Sequence, residues 1–218
     1  MRRKMKVEKE YNGMRYLEYI PDKNKGEKLP LLIYLHGAGE RGDDLGKVVV
    51  HGPLKEIVAG NIRDDFMIIS PQCEMDKTWW DYSERLYVLV KSYIKNPFVD
   101  SSKVYLTGNS MGGYGTWSFA MAHPEMFAAI IPICGGGMPW NAFMLQELPV
   151  WAFHCIGDEV VSYTATLDMV RPLQFGTKKE VKFTVYPGCS HDAWTETYKN
   201  QEVYDWLLQY SKAEREDI

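Results

Sequence analysis

An α/β architecture, a mostly parallel and doubly wound sheet with flanking helices, is what this 218-residue sequence predicts, and three features carry the prediction. Short runs of β-branched and aliphatic residues recur along the chain. Most are apolar without alternation, which suits strands buried on both faces, as in a parallel sheet. Between them lie stretches of helical spacing, set off by Gly, Pro or Asp, and this alternation of strand and helix signals is the mark of a doubly wound sheet.

In chain order, "YNGMRYLEYI" (11–20) alternates and reads as an antiparallel edge strand. Buried strands are expected at "LLIYL" (31–35), "FMIIS" (66–70), "KVYLT" (103–107), "AAIIPI" (128–133), "PVWAFHCI" (149–156) and "VKFTVYP" (181–187). A helix is expected over Tyr82 to Lys95, where Leu86, Leu89, Val90, Tyr93 and Ile94 recur at three- and four-residue spacings. Further helices are expected over Met111 to Ala122, Tyr163 to Val170 and Gln201 to Tyr210. No repeat, low-complexity stretch or linker divides the chain, so one domain over 1–218 is expected, ending in the polar tail "SKAEREDI".

A hydrophobic content of 45% and a charged content of 25% are ordinary for a globular protein with a well-developed core. The net charge of −4 gives no large basic field, so nucleic acid is not an expected partner. The basic start "MRRKMK" reads as a solvated terminus. No run approaches the roughly 18 apolar residues of a membrane span, so no membrane partner is expected. The N-terminus lacks the apolar segment of a secretory signal, which predicts a cytoplasmic protein, secreted only if such a signal had been removed. Cys73, Cys134, Cys155 and Cys189 form no CxxC pair, so no metal site is expected and reduced core thiols are the default reading.

Gly108-Asn109-Ser110-Met111-Gly112 matches G-x-S-x-G, between "KVYLT" and the small-residue helix "MGGYGTWSFAMA". A sharp strand-to-helix turn there would force Ser110 into strained dihedrals and raise its hydroxyl at the helix N-terminus, which favours developing negative charge. A serine is a poor nucleophile without a base in reach. Of the five histidines, His36 and His154 belong to strand ends, His51 to an early loop and His123 to a helix end. His191 alone follows the expected last strand, in the loop "YPGCSHDAW", and is the candidate base. A carboxylate must hold its tautomer. Asp158, directly after "PVWAFHCIG", is favoured at the same sheet end, with Glu159 the nearest rival; Asp192, adjacent to His191, is poorly placed to orient it. The glycine-rich loop "LHGAGERGDD" (35–44) suggests that the N–H groups of Ala38 and Met111 form an oxyanion hole. Its GxGxxG spacing has no acidic ribose partner at a fitting strand end, which argues against a nucleotide loop.

"LHGAGERG", "PQC" with the later "WW", "GNSMGGYGTW", "FHCIGDEVV" and "SHDAWTETY", spread over residues 31 to 198, together resemble the α/β-hydrolase superfamily. Within it they resemble the compact esterases related to polyhydroxybutyrate depolymerases, feruloyl esterases and predicted peptidases. The resemblance implies an α/β-hydrolase fold and a triad of Ser110, Asp158 and His191. It also implies hydrolysis of carboxylic esters through an acyl-enzyme, with no metal or organic cofactor. Cys155 departs from the pattern, since such esterases usually carry glycine after the histidine of "FHCIGD". Glu40 and Arg41 are expected to brace the oxyanion loop. The short connection between "PICGGG" and "PVWAFHC" leaves no room for a large lid, which suits short acyl groups or acylated carbohydrates and aryl-linked esters. Trp79, Trp80, Trp140 and Trp194 are expected near that rim, with Trp80 and Trp194 as candidate substrate contacts. Two rival readings are a serine peptidase of the same fold, for which the extra domain that limits access would find no space in 218 residues, and a non-catalytic binding module. The oligomeric state is not legible.

Overall fold

A computed structural model describes residues 5–21, 26–177 and 179–212. Eight strands form one sheet: β1 (Met5–Tyr11), β2 (Met14–Ile20), β3 (Leu29–Leu35), β4 (Met67–Pro71), β5 (Val99–Asn109), β6 (Ala129–Ile133), β7 (Val150–Cys155) and β8 (Val181–Tyr186). Their order across the sheet is β1-β2-β4-β3-β5-β6-β7-β8. From β4 to β8 the neighbours are parallel, whereas β1 and β2 form an antiparallel hairpin that attaches to β4.

Alternate residues of each central strand feed two separate cores. Leu31, Ile33 and Leu35 of β3 point to one face, where they pack with α2 (Ser83–Ile94), α3 (Met111–Ala122) and α4 (Tyr163–Gly176). Leu32 and Tyr34 point to the other face, covered by α1 (Pro53–Ala59), α5 (Trp194–Lys199) and α6 (Gln201–Leu207). Both faces are dry, which is why the strand sequences are continuously apolar.

The chain leaves β3 for β4 on one side, then crosses to β5 on the other. Connections that diverge at adjacent carboxyl ends open a crevice there, the usual ligand position in open α/β sheets. The loop after β3 and the turn after β5 line that crevice.

Several elements differ from the sequence-based expectation. "YNGMRYLEYI" contains the hairpin turn: Asn12 and Gly13 both take positive φ, 51° and 71°, the geometry that hairpin twist favours. The segment read as a solvated terminus contributes Met5 and Lys6 to β1, an exposed edge strand stabilised by pairing rather than by an apolar face. The helix α1 is only seven residues long, starts at Pro53, and was not apparent from spacing. The helix α4 continues past Val170 and through Pro172, because Leu173 in its last turns is buried in the core. Of the expected Gln201–Tyr210 helix, Gln201–Leu207 forms, preceded by the unforeseen α5.

Candidate active site

The turn after β5 is made by close backbone approach. A Cβ on Gly108 would collide with the Gly112 carbonyl, and one on Gly112 would collide with the Leu35 carbonyl of β3. Only glycine at these two positions lets α3 begin directly against the end of the sheet. Ser110 sits at the apex, with φ 56° and ψ −118°, and its N–H donates to Ile133 O at 2.9 Å. Such dihedrals are costly for a non-glycine residue and persist only where surrounding structure imposes them. The hydroxyl therefore stands at the positive end of α3.

His191 Nε2 lies 2.8 Å from Ser110 Oγ, and His191 Nδ1 lies 2.6 Å from Asp158 Oδ2. Three side chains distant in sequence thus form one hydrogen-bonded row. The Asp158 side chain is fully buried, and its other oxygen accepts the backbone N–H groups of Val160 and Val161 at 2.9 and 2.8 Å. Burial pushes this carboxyl up, but His191 and the two N–H groups outweigh it and hold it below the ordinary aspartate value. The row is built to keep a charged carboxylate against an imidazole.

Rival groups have other partners. Glu159 is exposed. Asp192 accepts from the N–H and hydroxyl of Thr195 at the start of α5. His36 is fully buried; its Nε2 accepts the Cys73 N–H at 3.0 Å, so its Nδ1–H donates to Gly37 O at 2.6 Å. Burial pushes its pKa down to about 4. His123 packs against the rings of Tyr87 and Phe119.

The loop carrying Ala38 lies against the same turn, since a Cβ on Gly37 would come within 3.1 Å of Asn109 Nδ2. Ala38 is exposed, Arg41 Nε donates to its carbonyl at 2.9 Å, and Gln72 Nε2 holds Glu40 O at 2.7 Å. Met111, whose N–H opens α3, is half-buried. Helix-opening N–H groups have no partner within their own helix.

The tryptophans divide. Trp79 is a core residue, contrary to the expectation of a rim position: it is buried over Gly115 and its Nε1–H donates to His36 O at 2.9 Å. Trp194 meets His191 edge-on at 5.1 Å and His51 at 5.5 Å, forming a wall beside the imidazole. Trp80 and Trp140 are exposed, and Trp80 lies 6.1 Å from the Tyr114 ring.

The cysteine reading needs correction. Cys155 and Cys189 form a disulfide with Cα atoms 5.5 Å apart, while Cys73 and Cys134 are free and buried. Spacing along the sequence concealed the pairing, because β7 and β8 are neighbours only in the sheet. The bond ties the end of β7, three residues before Asp158, to the loop two residues before His191. Cys134, His154 and Asp158 also approach one another, but all three are engaged in hydrogen bonds, and burial pushes the Cys134 thiol up to about 12.

Comparison with known proteins bears on the fold. Residues 80–152 match the model of the prolyl oligopeptidase family (Peptidase_S9), a stretch that includes Ser110. A thermostable esterase of known crystal structure superposes with a TM-score of 0.78 and 31% identity, over 95% of this chain and 63% of that one. The chain has the α/β-hydrolase fold. Its row of Ser110, His191 and Asp158 is the arrangement of a serine hydrolase. A feruloyl esterase module from Clostridium thermocellum, complexed with sinapinate, shares the hydrolase fold at a TM-score of 0.70 and 17% identity, over 94% of this chain and 87% of that one. Among curated proteins, a bifunctional acetylxylan esterase/xylanase of Neocallimastix patriciarum is 26% identical over 151 residues, 66% of this chain and 21% of that protein. The chain thus spans about a fifth of that relative's length.

Proposed function

We propose that this α/β-hydrolase is a carboxylesterase acting on short-chain, sugar-linked or aryl-linked esters. The observation that carries the reading is the 2.8 Å contact between Ser110 Oγ and an imidazole whose other nitrogen is held by a buried carboxylate. His191 Nε2 takes the Ser110 proton as Oγ attacks the ester carbonyl, and Asp158 stabilises the imidazolium that forms. The N–H groups of Ala38 and Met111 are assigned to the oxyanion, a contribution worth several kcal/mol in comparable sites. The imidazolium then protonates the departing alcohol, and a water deprotonated by His191 releases the acyl group. Only groups of the chain itself take part, with no metal or organic cofactor.

The likeness to the thermostable esterase favours esters over amides. The exposed Trp80, paired with Tyr114, is assigned to an aromatic or sugar portion of the substrate. Trp194 is assigned to holding the imidazole plane rather than to substrate. The partial match to the prolyl oligopeptidase family favours a second reading, a peptidase.

A fluorophosphonate probe, with Ser110→Ala as control, tests the nucleophile. Hydrolysis of p-nitrophenyl acetate through decanoate, methyl ferulate, acetylated xylan oligomers and aminoacyl p-nitroanilides then separates the substrate classes. Cleavage of the anilides with no ester turnover overturns the esterase reading.

A further inference from the structure

Asp158 Oδ2 has a second imidazole beside it. His154, fully buried at the end of β7, places Nε2 3.1 Å from that oxygen and 2.9 Å from Val161 O. A carbonyl can only accept, so Nε2 carries a proton that it donates to Val161 O, with Asp158 Oδ2 3.1 Å from the same nitrogen. At the other side of the ring, Nδ1 is 2.7 Å from Thr166 Oγ1 of α4. The same hydroxyl lies 2.6 Å from Gly135 O, which also has Trp117 Nε1 at 3.3 Å.

We propose that His154 is a positioning residue: its ring, held between Thr166 and Val161 O, sets Nε2–H against the oxygen of Asp158 that orients His191. This rests on the reading of Ser110, His191 and Asp158 as the hydrolytic machinery. Burial holds the proton affinity of the His154 ring below its ordinary value, against the raising influence of Val161 O and Asp158. The Thr166 hydroxyl, which donates to Gly135 O at 2.6 Å, holds the Nδ1 side of the ring at 2.7 Å.

The arrangement has a chemical consequence. Oδ2 is shared between two imidazoles, so the His154 N–H draws charge from the carboxylate that His191 uses. Without that donor Asp158 becomes more basic, the His191 imidazolium is favoured, and the base is protonated at higher pH. The other titratable groups facing this pair are the Cys134 thiol at the end of β6, Tyr163 of α4 beside His154, and Tyr114 of α3, whose phenol is raised by burial and by Asp158. The Cys134 and Tyr114 groups are neutral through the working range.

Two substitutions separate positioning from packing. His154→Gln keeps an N–H near the place of Nε2, whereas His154→Leu removes it at similar bulk. Fluorophosphonate labelling of the unaltered protein, abolished in Ser110→Ala, is measured first. In ester hydrolysis, His154→Leu is expected to lower kcat about 10- to 100-fold, the effect of losing a hydrogen bond to a charged group, with KM within about twofold. Its acid limb in kcat/KM is expected to move up by about half a pH unit or more. His154→Gln is expected to recover most of the rate and the limb.

Thr166→Val, which releases Nδ1 without touching Asp158, is expected to move the limb in the same direction and keeps the test open if the leucine variant does not fold. Nitrogen-15 NMR of the unaltered protein is expected to show His154 protonated on Nε2. An unmoved acid limb, equal rates for the glutamine and leucine variants, or an unprotonated Nε2 overturns the proposal while leaving Ser110-dependent labelling intact. Absence of labelling in the unaltered protein overturns the triad reading and this one with it.

Discussion

Asp158→Asn is the most informative single change, because the structure dictates both what survives and what is lost. The asparagine carbonyl can take the place of Oδ1 and keep accepting from Val160 and Val161. Its amide then faces His191 Nδ1 with a donor where an acceptor stood at 2.6 Å. Nδ1 must answer with its lone pair, so the ring proton moves to Nε2, toward Ser110, and the base is lost. The imidazolium also loses its counter-charge. At an effective dielectric of about 20 and charge centres about 4 Å apart, that attraction is about 4 kcal/mol, or roughly 10³-fold in rate. We expect kcat/KM for p-nitrophenyl acetate to fall about 10³- to 10⁴-fold, the upper end including the wrong tautomer. Near-native circular dichroism would show that the fold survives. Glu159→Gln, at an exposed position, should leave the rate unchanged. A loss below about tenfold in Asp158→Asn, or an equal loss in Glu159→Gln, would refute the assignment of the acid.

Two further outcomes concern stability. His36 is buried with its pKa pushed down to about 4, so between about 6.5 and 4 the unfolded chain binds a proton that the folded chain refuses. Its contribution is therefore complete above that window and falls by about 3 kcal/mol as pH drops through it. His36→Gln, which can still accept the Cys73 N–H, should flatten that part of the stability–pH curve in chemical denaturation; an unchanged slope would contradict it. The Cys155–Cys189 bond has a sequence separation of 34 residues. By the loop-closure account, Cys155→Ala should cost about 3–4 kcal/mol. Thiol titration of the denatured, unreduced protein should find Cys73 and Cys134 alone reactive, and four reactive thiols would exclude the bond.

How much was legible depended on whether the signal was local. The β3, β5 and β6 runs were recognisable because burial on both faces leaves a continuous apolar stretch. The helix α3 was readable to its ends, since the glycines that allow its close approach also mark its start. The edge strand β1 leaves Val7 and Tyr11 exposed among charged residues, and α1 is too short for a period, so both escaped. At the site, Ser110, Asp158 and His191 were named from the order of elements, and the structure brings them into one row. His154 was read only as a strand-end residue, although its four-residue spacing to Asp158 was a visible hint. Trp79 was taken for a rim residue because nothing in its neighbours announces the pocket above Gly115.

The sequence by itself determined the layered α/β class, the bent turn at Ser110 and the three polar groups worth watching. Those follow from periodicity, glycine placement and chain order, which are local properties. The tertiary structure alone decided which thiols pair, which tryptophan is buried, and that two imidazoles converge on one carboxylate oxygen. Each of these depends on the lateral order of strands in the sheet, set by hydrogen-bonded pairing between segments far apart in the chain. No window of neighbouring residues records that pairing.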